Sequence, residues 1–252
     1  MNISVIVPVY NEGAIVEENA RAIVDFFSAR RFTWEFIIVD DGSGDGTRRL
    51  LGACKEKYPQ LNVVSMPHKG KGAAVREGFS KSQGDWMLFF DIDLSTPLVM
   101  FDSFWAKRGE RKILIGSRAL GDSHVKTHQW WPKEWAGKCG NTLTRALLPL
   151  PFKDTQCGFK MYPGSFRKLL PLSITNGAAF DIEWLLIARE NGYDIEEIPV
   201  TWTNREESRF KFSDYCRALA DLVKIMRKAK RGEYLNKSQT PISNDQLNPK
   251  PQ

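Results

Sequence analysis

The sequence predicts an α/β fold: one domain built on a mostly parallel, doubly wound sheet. Three observations lead there. Short apolar runs alternate with stretches of helical spacing between residues 3 and 116. The runs are apolar at consecutive positions, the pattern of strands covered on both faces. Each run ends in a polar cluster, and ligands in such sheets bind beyond the carboxyl ends of the strands.

Residues 3–8 form a nearly continuous apolar run ending in Pro8, a buried strand. Residues 14–30 have helical spacing, with Ile15, Ala22, Ile23, Phe26 and Phe27 on one face. Residues 35–40 form the second strand. The turn over 41–47 leads into a helix, with Ser43 or Asp45 as its N-cap. A third strand spans 62–66, a glycine turn 69–72 and a helix 73–82. A fourth strand spans 86–90, and Pro97 suits the first turn of the next helix. Residues 112–116 form the fifth strand.

The second half is less regular. Residues 130–148 mix aromatics, lysines and leucines, and 154–161 run from polar to apolar. A helix over 179–190 stops at Gly192, 195–202 read as one strand, and 213–231 as an amphipathic basic helix. Residues 233–252, rich in Asn, Gln, Pro and Ser, are expected to be a disordered tail after a domain spanning 1–232.

Composition narrows the classes. The chain has 252 residues, enough for one large domain. No apolar run reaches the roughly 18 residues of a membrane span, and the N-terminus lacks the basic start of a signal peptide. Cys54, Cys139, Cys157 and Cys216 are scattered without metal-ligand spacing and read as reduced thiols. His68, His124 and His128 are too dispersed for a zinc site. The net charge of +6 suits anionic partners such as phosphates or an acidic membrane surface, and no nucleic-acid partner is expected.

The chemistry-bearing residues lie just after the strands. Asp91-Ile92-Asp93 follows the fourth. Neighbouring carboxylates repel unless a cation lies between them, and Mg2+ or Mn2+ commonly shares such oxygens with substrate phosphates. Asp-x-Asp alone is common in solvated loops; its position at a strand end makes it a candidate metal site. After the first strand, Tyr10 offers a face to a base and Glu12 an acceptor for ribose or base donors. After the second, Asp40 or Asp41 can accept a base N–H; both also fit a self-capping turn. Lys69 and Lys71 flank glycines in a turn suited to phosphate. No Walker loop is present, and no Gly-x-Gly-x-x-Gly follows the first strand, against a dinucleotide-dependent dehydrogenase.

These motifs together resemble the family 2 glycosyltransferases of the A-type fold, close to the dolichyl-phosphate glucose and mannose synthases. The resemblance rests on Val-Pro-Val-Tyr-Asn-Glu at 7–12, Val-Asp-Asp-Gly-Ser at 39–43, Lys-Gly-Lys-Gly at 69–72, Asp-Ile-Asp-Leu-Ser at 91–95 and Gly-Ser-Arg at 116–118. Asp-Thr-Gln-Cys-Gly-Phe-Lys at 154–160 and Phe-Asp-Ile-Glu at 180–183 narrow it, the former pointing to the glucosyl-phosphate branch. It covers about residues 3–225.

The resemblance implies a Rossmann-like nucleotide-sugar-binding domain, with a nucleotide half over 1–118 and an acceptor half over 119–232. It implies nucleotide contacts at Pro8, Tyr10, Glu12, Asp41, Lys69 and Asp91, and Mg2+ or Mn2+ at Asp91 and Asp93. Asp154 and Gln156 are expected near the reacting sugar, and Arg118, Arg205 and Arg209 on an acceptor phosphate. Two departures stand out. Ser95 occupies a position where mannose synthases carry Gln, and the loop 204–209 lacks the usual glycine.

The expected reaction is inverting transfer of a sugar, glucose favoured, from a nucleotide sugar to a polyprenyl or dolichyl phosphate. A phosphate monoester is largely dianionic at neutral pH and needs no general base. A saccharide hydroxyl needs one, and Asp154 or Asp181 is the candidate. The other readings are a GDP-mannose-dependent enzyme, a transferase acting on saccharides, and a non-catalytic nucleotide-sugar-binding module. Trp130, Trp131 and Trp135 with nearby lysines suit a lipid interface, as does the basic end of 213–231. They imply a peripheral protein on the cytoplasmic face of a membrane, alone or with a membrane-protein partner.

Overall fold

The computed structural model describes residues 2–127, 148, 150–203 and 212–236. In chain order the elements are β1 (Ile3–Val9), α1 (Val16–Ser28), β2 (Trp34–Asp40), α2 (Thr47–Lys57), β3 (Leu61–Ser65), α3 (Lys71–Lys81), β4 (Trp86–Phe90), α4 (Met100–Lys107), β5 (Lys112–Ser117) and β6 (His124–Thr127). There follow β7 (Phe159–Pro163), a 3-10 helix (Gly164–Leu172), α5 (Phe180–Glu190), β8 (Asp194–Pro199), β9 (Thr201–Thr203) and α6 (Phe212–Lys230).

The main sheet has seven strands in the order β3-β2-β1-β4-β7-β5-β8, and β6 pairs with β9 in a separate small sheet. All main-sheet pairings are parallel except those of β7, which runs antiparallel between β4 and β5. Antiparallel insertion matters for the site. It brings the segment that precedes β7, residues 154–158, to the same edge as the carboxyl ends of the parallel strands.

The strands are apolar throughout because both faces are covered. Along β1, Ile6 joins one core with Phe79 of α3, Phe89, Tyr162 and Trp184. Its neighbours Val5 and Val7 join the other, with Ile23 and Phe27 of α1, Leu51 of α2 and Phe101 of α4. In the first core, Phe79, Tyr162 and Trp184 meet edge to face at 4.9–5.8 Å. Each such ring contributes roughly 1.5–3 kcal/mol by burial. In α5 every residue from Phe180 to Ala188 is buried, so this helix lies inside the molecule.

Several expectations are corrected. The run 195–202 is two strands, β8 and β9, in different sheets and separated at Val200. Pro97 precedes α4, and its carbonyl accepts from Met100 N–H. The N-cap of α2 is Gly46 with no side-chain cap; Asp45 instead accepts from Thr47 N–H, and Ser43 Oγ from Asn11 N–H. The polar-to-apolar segment 154–161 runs into β7 of the main sheet, a strand the sequence did not assign. Tyr234 lies within the tail expected to be disordered, yet it is buried and donates its hydroxyl to Glu183 at 2.7 Å. Trp130, Trp131, Trp135, Cys139, His128, Arg205 and Arg209 lie outside the described residues.

Candidate active site

The acidic turn after β4 is held from three sides. Asn19 of α1, buried, donates to Ile92 O at 2.8 Å. Ser95 O accepts from Thr203 N–H at 2.9 Å, tying the turn to β9. Ser95 in turn donates its N–H and hydroxyl to the two oxygens of Asp93, at 2.9 and 2.7 Å. Between them Leu94 sits at φ 52, a left-handed conformation that costs a non-glycine residue about 1–3 kcal/mol. Burial of the Leu94 side chain in the second core helps hold it there.

Asp91 and Asp93 line one pocket with Phe90, Ser95, Thr96, Gly158 and Trp202. Gly158 presses its backbone on Asp91: a Cβ there would lie 2.1 Å from Asp91 Oδ2. On the other side, Lys71 Nζ, from the first residue of α3, lies 2.6 Å from Asp91 Oδ1. Burial lowers the Lys71 pKa, but the charges of Asp91 and Asp181 outweigh it and raise the pKa overall. Among the described residues no cluster of three or more His, Cys, Asp or Glu side chains could hold a metal.

A second charged group stands beside this pocket. Asp154, buried, receives Arg118 through Nε at 2.6 Å and Nη2 at 3.0 Å, and also the Arg118 N–H at 3.0 Å. Glu197 of β8 fixes the loop by accepting from Lys153 and Asp154 N–H. Burial pushes the Asp154 carboxyl up, but the Arg118 bonds and charge prevail and hold it below its ordinary value. Arg118 also lies 5.5 Å over the Trp202 ring.

Beneath the rim, Lys160 of β7 is completely buried; its ammonium donates to Asp181 Oδ1 at 2.5 Å and to Cys157 O at 2.6 Å. Burial raises the Asp181 pKa, against the opposing charges of Lys160 and Lys71. The neighbouring acid Glu183, also fully buried, accepts from Ser173, Ile174, Thr175 and Tyr234.

The family model of glycosyl transferase family 2 matches residues 4–169. This chain is a family 2 glycosyltransferase. The transferase is 31% identical over 236 residues to a dolichyl-phosphate beta-glucosyltransferase of Trichomonas vaginalis, covering 88% of this chain and 72% of that one. It is 32% identical over 248 residues to the Saccharomyces cerevisiae dolichyl-phosphate beta-glucosyltransferase, covering 88% and 73%. Among solved structures, it superposes with a TM-score of 0.65 on glucosyl-3-phosphoglycerate synthase from Mycobacterium tuberculosis in complex with Mn2+, uridine-diphosphate-glucose and phosphoglyceric acid. That likeness has 19% identity over 94% of this chain and 81% of that one. A mannosyltransferase from Pyrobaculum calidifontis in complex with GDP-Man and Mn2+ matches at TM-score 0.60 and 20% identity, covering 91% and 64%. These likenesses show the A-type glycosyltransferase fold.

The transferase brings most of the sequence-selected residues to one edge. Pro8 is the last residue but one of β1, in register with Val39, and Asp40 ends β2. Asp41 is buried and accepts from Lys69 and Gly70 N–H at 2.8 and 2.9 Å, so it shapes the Lys69–Gly70 turn. His68 lies 2.9 Å from Asp41 Oδ2 and stacks on Tyr10 with ring centroids 4.1 Å apart. Glu12 precedes α1, and its carbonyl accepts from Ile15 and Val16 N–H at the helix entry. Lys69 is exposed at this edge and Gln156 beside Asp154.

Two choices fare differently. Asp40 is buried and spent on its own turn, accepting from Ser43 N–H at 2.9 Å and from Arg48 at 3.1 Å. Asp181 lies below the rim in its pair with Lys160. Lys71, expected on phosphate, instead meets Asp91, and Asn19, Gly158, Glu197 and Trp202 were not selected from the sequence. Gly158 stood inside a quoted motif; nothing local marked the other three.

Proposed function

We propose that the transferase moves glucose from UDP-glucose to a polyprenyl phosphate of the dolichyl type, with inversion at the sugar. Two of the relatives quoted above are named dolichyl-phosphate beta-glucosyltransferases. The observation that carries the proposal is the state of the two candidate bases. Asp154 is engaged by Arg118 on both oxygens, and Asp181 by buried Lys160. Neither carboxylate is poised to take a proton from a hydroxyl acceptor. A dianionic phosphate brings its own nucleophilic oxygen and needs no base.

Asp91 and Asp93 fit a divalent cation such as Mg2+ or Mn2+. They offer two hard oxygen ligands on one pocket, which suits an ion that completes its shell with substrate phosphates. Bound there, the ion would neutralise charge on the departing diphosphate. The chain's own part is alignment: Asp154 aims Arg118, whose guanidinium attracts the acceptor phosphate, and the Asp41-shaped turn presents Lys69 to the donor. Within the same proposal, Arg205 and Arg209 add charge for the acceptor.

We further assign the protein to the cytoplasmic face of a membrane, where its acceptor resides. Among the described residues no helix is long and apolar enough to cross a membrane. The basic end of α6 supports surface contact: Arg227 and Lys230 lie there, whereas Lys228 bonds Leu172 O, Lys224 pairs with Asp221, and Arg231, just past the helix, pairs with Glu233.

The test supplies purified protein with labelled UDP-glucose or GDP-mannose, Mn2+ or Mg2+, and a polyprenyl phosphate in detergent. Glucose appearing in the lipid phase from UDP-glucose alone, and lost with a chelator, is the expected result. Equal transfer from GDP-mannose, or transfer only to added saccharides, overturns it.

A further inference from the structure

The contact between Lys71 and Asp91 has no part in the reaction above, yet it involves an oxygen a cation needs. Lys71 Nζ lies 2.6 Å from Asp91 Oδ1, and both side chains remain over one-third exposed. The backbone beneath Lys71 is fixed. Gly70 precedes it at φ +108, a left-handed conformation open to glycine, and a Cβ there would meet Asn176 O at 2.7 Å. The Gly70 N–H is held by Asp41, and Ala73 N–H donates to Asn176 O. The side chain is thus the free part of this residue, a flexible four-carbon arm ending in a point charge.

Lys160 supplies the contrast. Both ammonium groups flank the Phe89 ring, Lys71 at 5.5 Å and Lys160 at 5.8 Å. Lys160 is wholly buried on Asp181 and a carbonyl, with nowhere to go. Lys71 is open to solvent and holds one acid of the pocket whose other acid, Asp93, is satisfied by Ser95.

We infer that Lys71 is an exchangeable counter-ion: it neutralises Asp91 while the donor site is empty, and swings to the donor's diphosphate when a divalent cation takes Asp91. This rests on the metal assignment under Proposed function. Two consequences have opposite signs. A cation alone must displace Lys71 and is weakened by it. A pyrophosphate arriving with the cation gains the released ammonium and is strengthened by it.

The experiment uses the full chain and two probes. Mn2+ alone is titrated by its electron-spin signal, and inorganic pyrophosphate is titrated calorimetrically in saturating Mn2+. For Lys71→Met, Mn2+ alone is expected to bind on the order of tenfold tighter and pyrophosphate on the order of tenfold weaker. Lys71→Arg, which keeps the charge, is expected to follow the wild type within about threefold on Mn2+. Opposite signs are the mark of exchange, since a folding defect weakens both probes. Shifts of the same sign in Lys71→Met, or none, overturn the exchange while leaving the metal site standing. If the wild type and Asp91→Asn bind Mn2+ equally poorly, the metal reading falls and the exchange with it.

Discussion

Arg118 grips Asp154 through both carboxylate oxygens and its own backbone N–H, across 36 residues of sequence. A carboxylate so engaged serves as an orienting anchor, and the guanidinium gains a fixed direction at the rim. Asp154→Asn therefore removes aim rather than a base. It is expected to lower turnover on the order of 10²-fold through misplacement and stability by about 2 kcal/mol. That is less than for a fully buried pair, because the Arg118 side chain is one-third exposed. The pH dependence has a definite sign. Asp154 is depressed in the folded state, so its contribution is present above the unfolded pKa of about 3.9 and fades as pH falls through the lower folded value. Urea denaturation from about pH 7 to about pH 3 should show this acid-side loss in the wild type and not in Asp154→Asn.

Gly158→Ala tests how closely the backbone before β7 supports the acidic turn. The new Cβ would stand 2.1 Å from Asp91 Oδ2, so the carboxylate must move. Mn2+ affinity is expected to fall by about tenfold or more, with the far-ultraviolet circular dichroism unchanged. Native affinity in this variant would show that Asp91 is not a metal ligand.

Asp93→Asn separates metal binding from folding. Asparagine retains an oxygen to accept from Ser95 N–H, and the site lies at a rim. Turnover is expected to drop on the order of 10²-fold or more, while the thermal midpoint stays within about 4 °C. Wild-type turnover in the presence of metal would remove Asp93 from the reaction.

Tyr234→Phe probes the docking of the segment after α6. The tyrosine is buried, donates to Glu183 and lends its carbonyl to Asn191. Burial and the Glu183 bond raise its pKa far above the ordinary phenol value. Loss of the hydroxyl is expected to cost about 1–2 kcal/mol in denaturant titrations, because Glu183 keeps its other donors. No change would mean that the segment is not anchored there in solution.

Much of the fold was legible because both faces of the sheet are covered. Runs such as Val5–Val7 and Met87–Phe90 are too apolar to face water and too short for buried helices, and the polar residues after them mark the edge of the candidate site. Strand β7 escaped notice for the opposite reason. It is short and carries Lys160, a residue type that sequence patterns assign to solvent, and the burial of that lysine depends on Asp181 arriving from a helix 21 residues later. The division of 195–202 into β8 and β9 was hidden likewise, since both halves read as strand and only their partners differ.

By itself the sequence determined the α/β class, the strand-end edge that holds the candidate site and the residue types gathered there, because strand periodicity and strand-end polarity are local properties. Only the tertiary structure decided what those residues do to one another. Asp40 became a turn cap, Asp41 a loop clamp, Asp154 an anchor for Arg118, and Asp181 the partner of a buried lysine. A carboxylate's role is set by the donors within about 3 Å of it, and those donors come from distant parts of the chain.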